Sequence, residues 1–172
     1  SDSEGNITPD ALREALGEDP TDVAVVSVIL ANNEVGTVND IKALTAVTRD
    51  FGIRFHTDAV QAPAWLDLNF SELGVCAMTI SGHKVGGPHG IGALIISRDC
   101  HVTPLIHGGG QERDVRSGTL DAPAIVAFAT ALEITTSRRT ENVARVSALR
   151  DDLVKRVMEI APDAIHTGSK TN

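Results

Sequence analysis

Apolar positions change their spacing several times along the chain, and each change marks an element. NITPDALREALGED carries the punctuation of a helix, with Thr8 placed to cap it, Pro9 in its first turn and Gly17 to end it. DVAVVSVILANN is apolar and β-branched without helical period, so it reads as a buried strand whose carboxyl end lies near Ala31 and Asn32. From Asn39 to Phe51, Ile41, Leu44, Val47 and Phe51 recur at spacings of three, three and four. That pattern is one face of a helix, halted by Gly52. Three short apolar stretches follow, IRFHTDA, CAMTIS and IGALIIS, each bounded by Gly, Pro or polar residues and each predicted to be a strand. Ala122 to Glu133 is Ala-rich and helical, and Val143, Val146, Leu149, Leu153, Val157 and Ile160 mark a longer amphipathic helix ended by Pro162. The final HTGSKTN closes no element.

Strands alternating with helices predict an α/β fold, a mostly parallel sheet flanked by helices. The last two strands are close enough in sequence to pair antiparallel as well. A chain of 172 residues is long enough for one real core, and no repeat or low-complexity tract divides it.

Composition narrows the function classes. Hydrophobic residues make up 42% and charged residues 22%, as in ordinary globular chains. Aromatics are scarce, at 3% with no Tyr, and the formal charge is -8; base stacking and a basic phosphate-binding face are both poorly supplied. The apolar runs around Ser27 are too short to span a bilayer, and no charged segment followed by an apolar one opens the chain. Cys76 and Cys100 read as two isolated thiols without CxxC spacing, which favours a reducing, cytoplasmic compartment. The opening without Met reads as a processed or excised piece.

In open α/β sheets ligands gather beyond the carboxyl ends of strands. The residues there are Asn33 after the first strand, Asp58 and Gln61 after the second, and Ser81, His83 and Lys84 after the third. An acid, two amides, a hydroxyl, an imidazole and an amine suit an aromatic cofactor with a ring nitrogen and a phosphate. Pyridoxal phosphate makes three such demands: an amine for its aldehyde, a carboxylate to keep its pyridine nitrogen protonated, and hydroxyl or N–H donors for its phosphate. Lys84, Asp58, and Ser81 with His83 meet them in that order. The plainer readings are an exposed turn lysine, a helix-capping aspartate, and polar residues that merely shape loops.

Competing motifs are absent. The six histidines, His56, His83, His89, His101, His107 and His166, show no HExxH or paired metal-ligand spacing, so no metal site is expected. HGGG at His107 to Gly110 resembles the oxyanion loop of esterases, but the chain lacks a GxSxG elbow. GGPHGIG does not fit GxGxxG, and no Walker A sequence occurs.

ANNEVGT, FHTDAVQA, SGHKVGGPHGIGAL and HGGGQERDVRSGT, in this order and spacing, resemble the signature blocks of cysteine desulfurases. These are pyridoxal-phosphate enzymes of the class V aminotransferase family with the fold type I large domain. The resemblance implies a sulfurtransferase that converts L-cysteine to L-alanine and passes sulfur as an enzyme persulfide to an acceptor or scaffold protein for iron–sulfur cluster assembly. By the same resemblance Lys84 holds the cofactor and moves protons, Asp58 pairs with the pyridine nitrogen, and Gln61 and Asn33 lie near the ring oxygen and the substrate. Ser81 and His83 are similar to the phosphate ligands, and Thr119 to a threonine reaching the phosphate of a neighbouring subunit, which implies a homodimer.

The resemblance also implies what is missing. Residues 1–172 correspond to part of the large, cofactor-binding domain, without the small C-terminal domain. Neither Cys76 nor Cys100 matches the family's persulfide-forming cysteine, and the arginine that grips the substrate carboxylate has no counterpart. The chain alone is therefore expected to be inactive, with an exposed apolar edge or face that favours pairing with another chain. The alternatives are a selenocysteine lyase or other class V enzyme, and a non-catalytic dimerisation or partner-binding module.

Overall fold

Four strands lie side by side in chain order, β1 (Val25–Ile29), β2 (Arg54–Asp58), β3 (Ala77–Ser81) and β4 (Gly92–Ile96). In this computed structural model, which describes residues 1–169, β1, β2 and β3 run parallel and β4 pairs antiparallel to β3. A short loop from β3 cannot make a parallel crossover, which decides between the two pairings open for the last strands. The last three residues of HTGSKTN lie outside the described residues.

Helices α1 (Pro9–Leu16) and α2 (Ile41–Asp50) pack against each other and against one sheet face. The α1 cap is as the sequence predicts, with Thr8 Oγ1 accepting from Ala11 N at 3.2 Å. Helix α2 starts one residue later than the pattern implies, because Asp40 supplies the cap, its Oδ1 accepting from Ala43 N at 2.9 Å. Asn39 turns inward instead. Its side chain accepts from Ile7 N at 2.8 Å and donates to Ile29 O at 2.9 Å, clasping the N-terminal segment to β1.

Alternation along the strands places Val26, Val28, Phe55, Thr57, Met78 and Ile80 on that covered face. Val28, Phe55 and Met78 join Leu12, Ile41, Leu44 and Val47 in one buried cluster. Each such side chain contributes about 1.5–3 kcal/mol by leaving water. The opposite face is open: Val25 is 51% exposed and Leu94 46% exposed, with Ser27 exposed between strands. The expectation of a wholly buried first strand is thus corrected. Its residues are apolar on both faces, but helices cover only one.

Two elements escape the sequence pattern, α3 (Phe70–Leu73) and a 3-10 turn at Gly82–Lys84, both too short to show a period. Helix α4 (Ala122–Ser137) extends beyond the Ala-rich stretch, and α5 (Arg139–Ile160) begins directly after it. At their junction Arg139 donates to Pro63 O at 3.2 Å and pairs with Asp67 at 2.8 Å. Thr135 Oγ1 on α4 donates to Val85 O at 2.9 Å, fixing α4 against the segment after the 3-10 turn.

Candidate functional site

The parallel pairing of β2 with β3 sets Asp58 level with Thr79, so Asp58 and Ser81 end neighbouring strands at the same edge of the sheet. Asp58 Oδ1 accepts from Val60 N at 3.0 Å and lies 3.5 Å from Thr79 Oγ1, a long contact. Its Oδ2 has no hydrogen-bond partner among the described residues. The half-buried carboxylate is therefore steered through one oxygen while the other is available to an N–H donor.

Two residues back on the same face of β2, His56 Nδ1 lies 2.8 Å from Ser27 Oγ across on β1. Burial draws the pKa of His56 down, and the nearby Asp58 carboxylate opposes the shift without reversing it. Neither Ser27 nor Thr79 stands out in the sequence. Period-two alternation would have put His56 beside Asp58, but Ser27 joins only once the strand register is known.

Beyond β3 the chain doubles back. Gly82 N donates to Ile91 O at 2.9 Å, while Val85 N and Gly87 N both donate to Gly82 O, at 3.1 and 2.9 Å. A Cβ at Gly82 would lie 2.7 Å from Ile91 Cγ2 and 3.0 Å from Pro88 O, so only glycine lets the two limbs close. Lys84 rides on this turn, exposed and without an ion pair among the described residues. Ser81 Oγ is 2.9 Å from His83 Nδ1, which leaves Nε2 as the free ring nitrogen. The His83 ring stacks on His89 with centroids 5.4 Å apart, a neighbour that spacing did not single out as part of the site.

The other candidates lie on separate loops. Asn33 is exposed and its Nδ2 donates to Glu34 Oε1 at 2.7 Å; the preceding Asn32 shapes the turn by accepting from Glu34 N and Val35 N. Gln61 is half-buried in the turn that Ala62 N closes on Ala59 O at 2.9 Å. Thr119 is exposed after a loop held by Gly118 N donating to Gln111 Oε1 at 3.0 Å. That loop carries three successive left-handed residues, Glu112, Arg113 and Asp114, with φ of 52°, 55° and 63°. No hydrogen bond joins Asn33, Gln61 or Thr119 to Asp58 or Lys84 among the described residues. The structure thus places Asp58, Ser81, His83 and Lys84 at or just past the same end of two neighbouring strands, while Asn33, Gln61 and Thr119 lie on separate turns.

The described residues contain no group of three or more His, Cys, Asp or Glu side chains placed to hold a metal. Among the described residues no helix is long and apolar enough to cross a membrane.

The aminotransferase class-V family model matches residues 1–170. An IscS-like cysteine desulfurase of Mycobacterium tuberculosis is 47% identical over 97% of this chain, and cysteine desulfurase IscS of Dictyoglomus turgidum 37% identical over 99%. The chain spans 42% and 43% of the lengths of these two relatives. Among solved structures, a NifS-like protein from Rickettsia africae superposes with a TM-score of 0.87 at 38% identity, covering 92% of this chain and 44% of its own. Matched over nearly its whole length by that family model, and superposing on a NifS-like protein, the chain belongs to the class-V aminotransferase family.

Proposed function

We propose that this chain is the cofactor-anchoring part of the large domain of a pyridoxal-phosphate-dependent cysteine desulfurase. The reading rests on one observation: Asp58, whose Oδ2 has no partner among the described residues, ends β2, and Lys84, exposed and without an ion pair among them, follows the adjacent parallel β3 just after Ser81 and His83. The donor set fits the cofactor. Asp58 Oδ2 would accept from a pyridine N–H, Lys84 Nζ would be the amine for the aldehyde, and Ser81 with His83 would supply phosphate donors on a turn kept free of bulk by Gly82.

When bound, pyridoxal phosphate supplies an electron sink for the substrate's α-carbon. Asp58 would keep the pyridine nitrogen protonated, without which that sink fails. Lys84 would supply the amine that holds the cofactor and the base that moves the α-carbon proton. Asn33 and Gln61 orient the ring oxygen and the substrate, and Thr119 reaches the phosphate of a second copy, making the working unit a homodimer.

In the complete reaction a cysteine thiol takes the substrate's sulfur as a persulfide and L-alanine leaves. Cys76 and Cys100 are not that thiol. Cys76 precedes β3 whereas Lys84 follows it, and a five-residue strand separates the two ends by about 17 Å. The 172 residues alone therefore release no sulfur. The enzyme works in the cytoplasm and hands its sulfur to an acceptor protein for iron–sulfur cluster assembly.

The test is to incubate the chain with pyridoxal phosphate, reduce with borohydride and map the adduct by mass spectrometry. One adduct on Lys84, lost in Lys84→Ala, supports the reading. An adduct confined to Lys42 or Lys155 overturns it.

A further inference from the structure

The two cysteines, isolated in sequence, meet in space. Antiparallel pairing of β3 with β4 continues one step past Ala77 and Ile96, where Ser97 N donates to Cys76 O at 2.9 Å. The chain then reverses, Cys100 N donating to Ser97 O at 3.1 Å. That turn holds Cys100 at the same corner of the sheet as Cys76, close enough for its thiol to act on the Cys76 thiol. Both are free and half-buried. Cys76 lines an open cleft of about 270 Å³ bounded by Phe70, Gly74, Ser97 and Asp99, so a small reagent has a route to Cys76.

We propose that Cys76 and Cys100 are a modification site, a dithiol that closes to an intramolecular disulfide on reaction with a low-molecular-weight disulfide. The pair is at the amino end of β3, opposite to Lys84, and the inference does not depend on the proposed activity. A protein thiolate attacks the reagent, forming a mixed disulfide and releasing one small thiolate. The second protein thiolate attacks the protein sulfur of that mixed disulfide and expels the other. The protein gives up two protons and two electrons, and the reagent leaves as two small thiols.

Burial and the neighbouring Cys100 thiol push the Cys76 thiol up to about 11, which slows its own reaction with the reagent. The positive charge of Arg54, whose Nη1 donates to His101 O at 3.0 Å, acts on Cys76 in the direction of the thiolate.

The experiment treats the purified chain with oxidised glutathione, alkylates the remaining thiols and reads intact mass and linked peptides. Wild type is expected to lose two hydrogen masses and both alkylatable thiols, retain no glutathione, and recover both thiols with dithiothreitol. Cys76→Ser and Cys100→Ser are each expected to keep one glutathione. The same treatment in urea should give glutathione adducts on both thiols, showing that the fold makes the pair. A folded wild type that keeps glutathione, keeps both free thiols, or links only between chains overturns the proposal, and needs no variant to do so.

Discussion

Ser27 Oγ sits 2.8 Å from His56 Nδ1 on the open face of the sheet, where His56 also feels the carboxylate of Asp58. Burial outweighs that carboxylate and holds the folded-state pKa of His56 below its ordinary 6.5. The sign for stability follows. A base with a depressed pKa binds its proton more readily in the unfolded chain, so protonation favours unfolding. The stability tied to neutral His56 is fully present above pH 6.5 and drains away as pH falls through the lower folded value. Urea midpoints measured across that range should decline with acid, and His56→Gln should decline less. Parallel pH profiles for the two proteins would contradict this account.

Asp58 carries the second expectation. Asp58→Asn keeps the shape and can keep the contact with Val60 N, but it replaces by an amide the carboxylate proposed to accept from the ring N–H. A charge-assisted hydrogen bond is worth about 1.5–3 kcal/mol, so pyridoxal phosphate should bind about ten- to a hundredfold more weakly. Quenching of the Trp65 fluorescence or the cofactor's own absorbance would follow the titration. Unchanged affinity in Asp58→Asn would remove Asp58 from the ring nitrogen.

What could be read in advance depended on how local each signal is. Thr8, Pro9 and Gly17 bracket α1 because caps act within a few residues, and the Ile41, Leu44, Val47 spacing marks the buried side of α2 by itself. The positions of Asp58, Ser81 and Lys84 were legible because each lies at or just past the carboxyl end of a strand. The Ser27–His56 contact and the Cys76–Cys100 pair depend on which strands pair and in which direction, and no short window encodes that. Asn39 and Asp40 are both plausible caps; the choice was made by Ile7 N and Ile29 O, which claim the Asn39 amide. The open face of β1 was hidden for another reason, since Val25 and Ile29 on it are as apolar as the covered Val26 and Val28.

Gly82 tests how closely the turn beneath Lys84 is packed. Gly82→Ala puts a methyl 2.7 Å from Ile91 Cγ2 and 3.0 Å from a backbone oxygen, which must move apart. Overpacking of this kind costs about 1–3 kcal/mol. The thermal midpoint should fall, and cofactor capture by Lys84 should weaken with it because the same limbs set the lysine's position. Gly86→Ala is a useful contrast: no atom lies within 4 Å of its added methyl, although φ is 80° there. Its penalty is confined to backbone strain, about 1–2 kcal/mol. Equal movement of Ile91 in crystal structures of both variants would show that contact is not what requires glycine at position 82.

The one-sided sheet makes a last, sharper expectation. Leu44 and Val25 are both apolar residues of the sheet layer and its helix, yet Leu44 is 0% exposed and Val25 is 51% exposed. Leu44→Ala removes methylene groups from the cluster that joins α2 to Phe55 and Met78, and should cost about 2–5 kcal/mol. Val25→Thr leaves the β-branch that suits a strand and changes only an exposed methyl, so its effect should stay within about 0.5 kcal/mol. Denaturant unfolding of the two variants distinguishes a face that is open in solution from one that is covered. If Val25→Thr lost as much stability as a buried substitution, a second copy of the chain or another partner would have to be seated on that face. The loss would then shrink on dilution of the protein, because association stabilises only in proportion to the concentration of the partner.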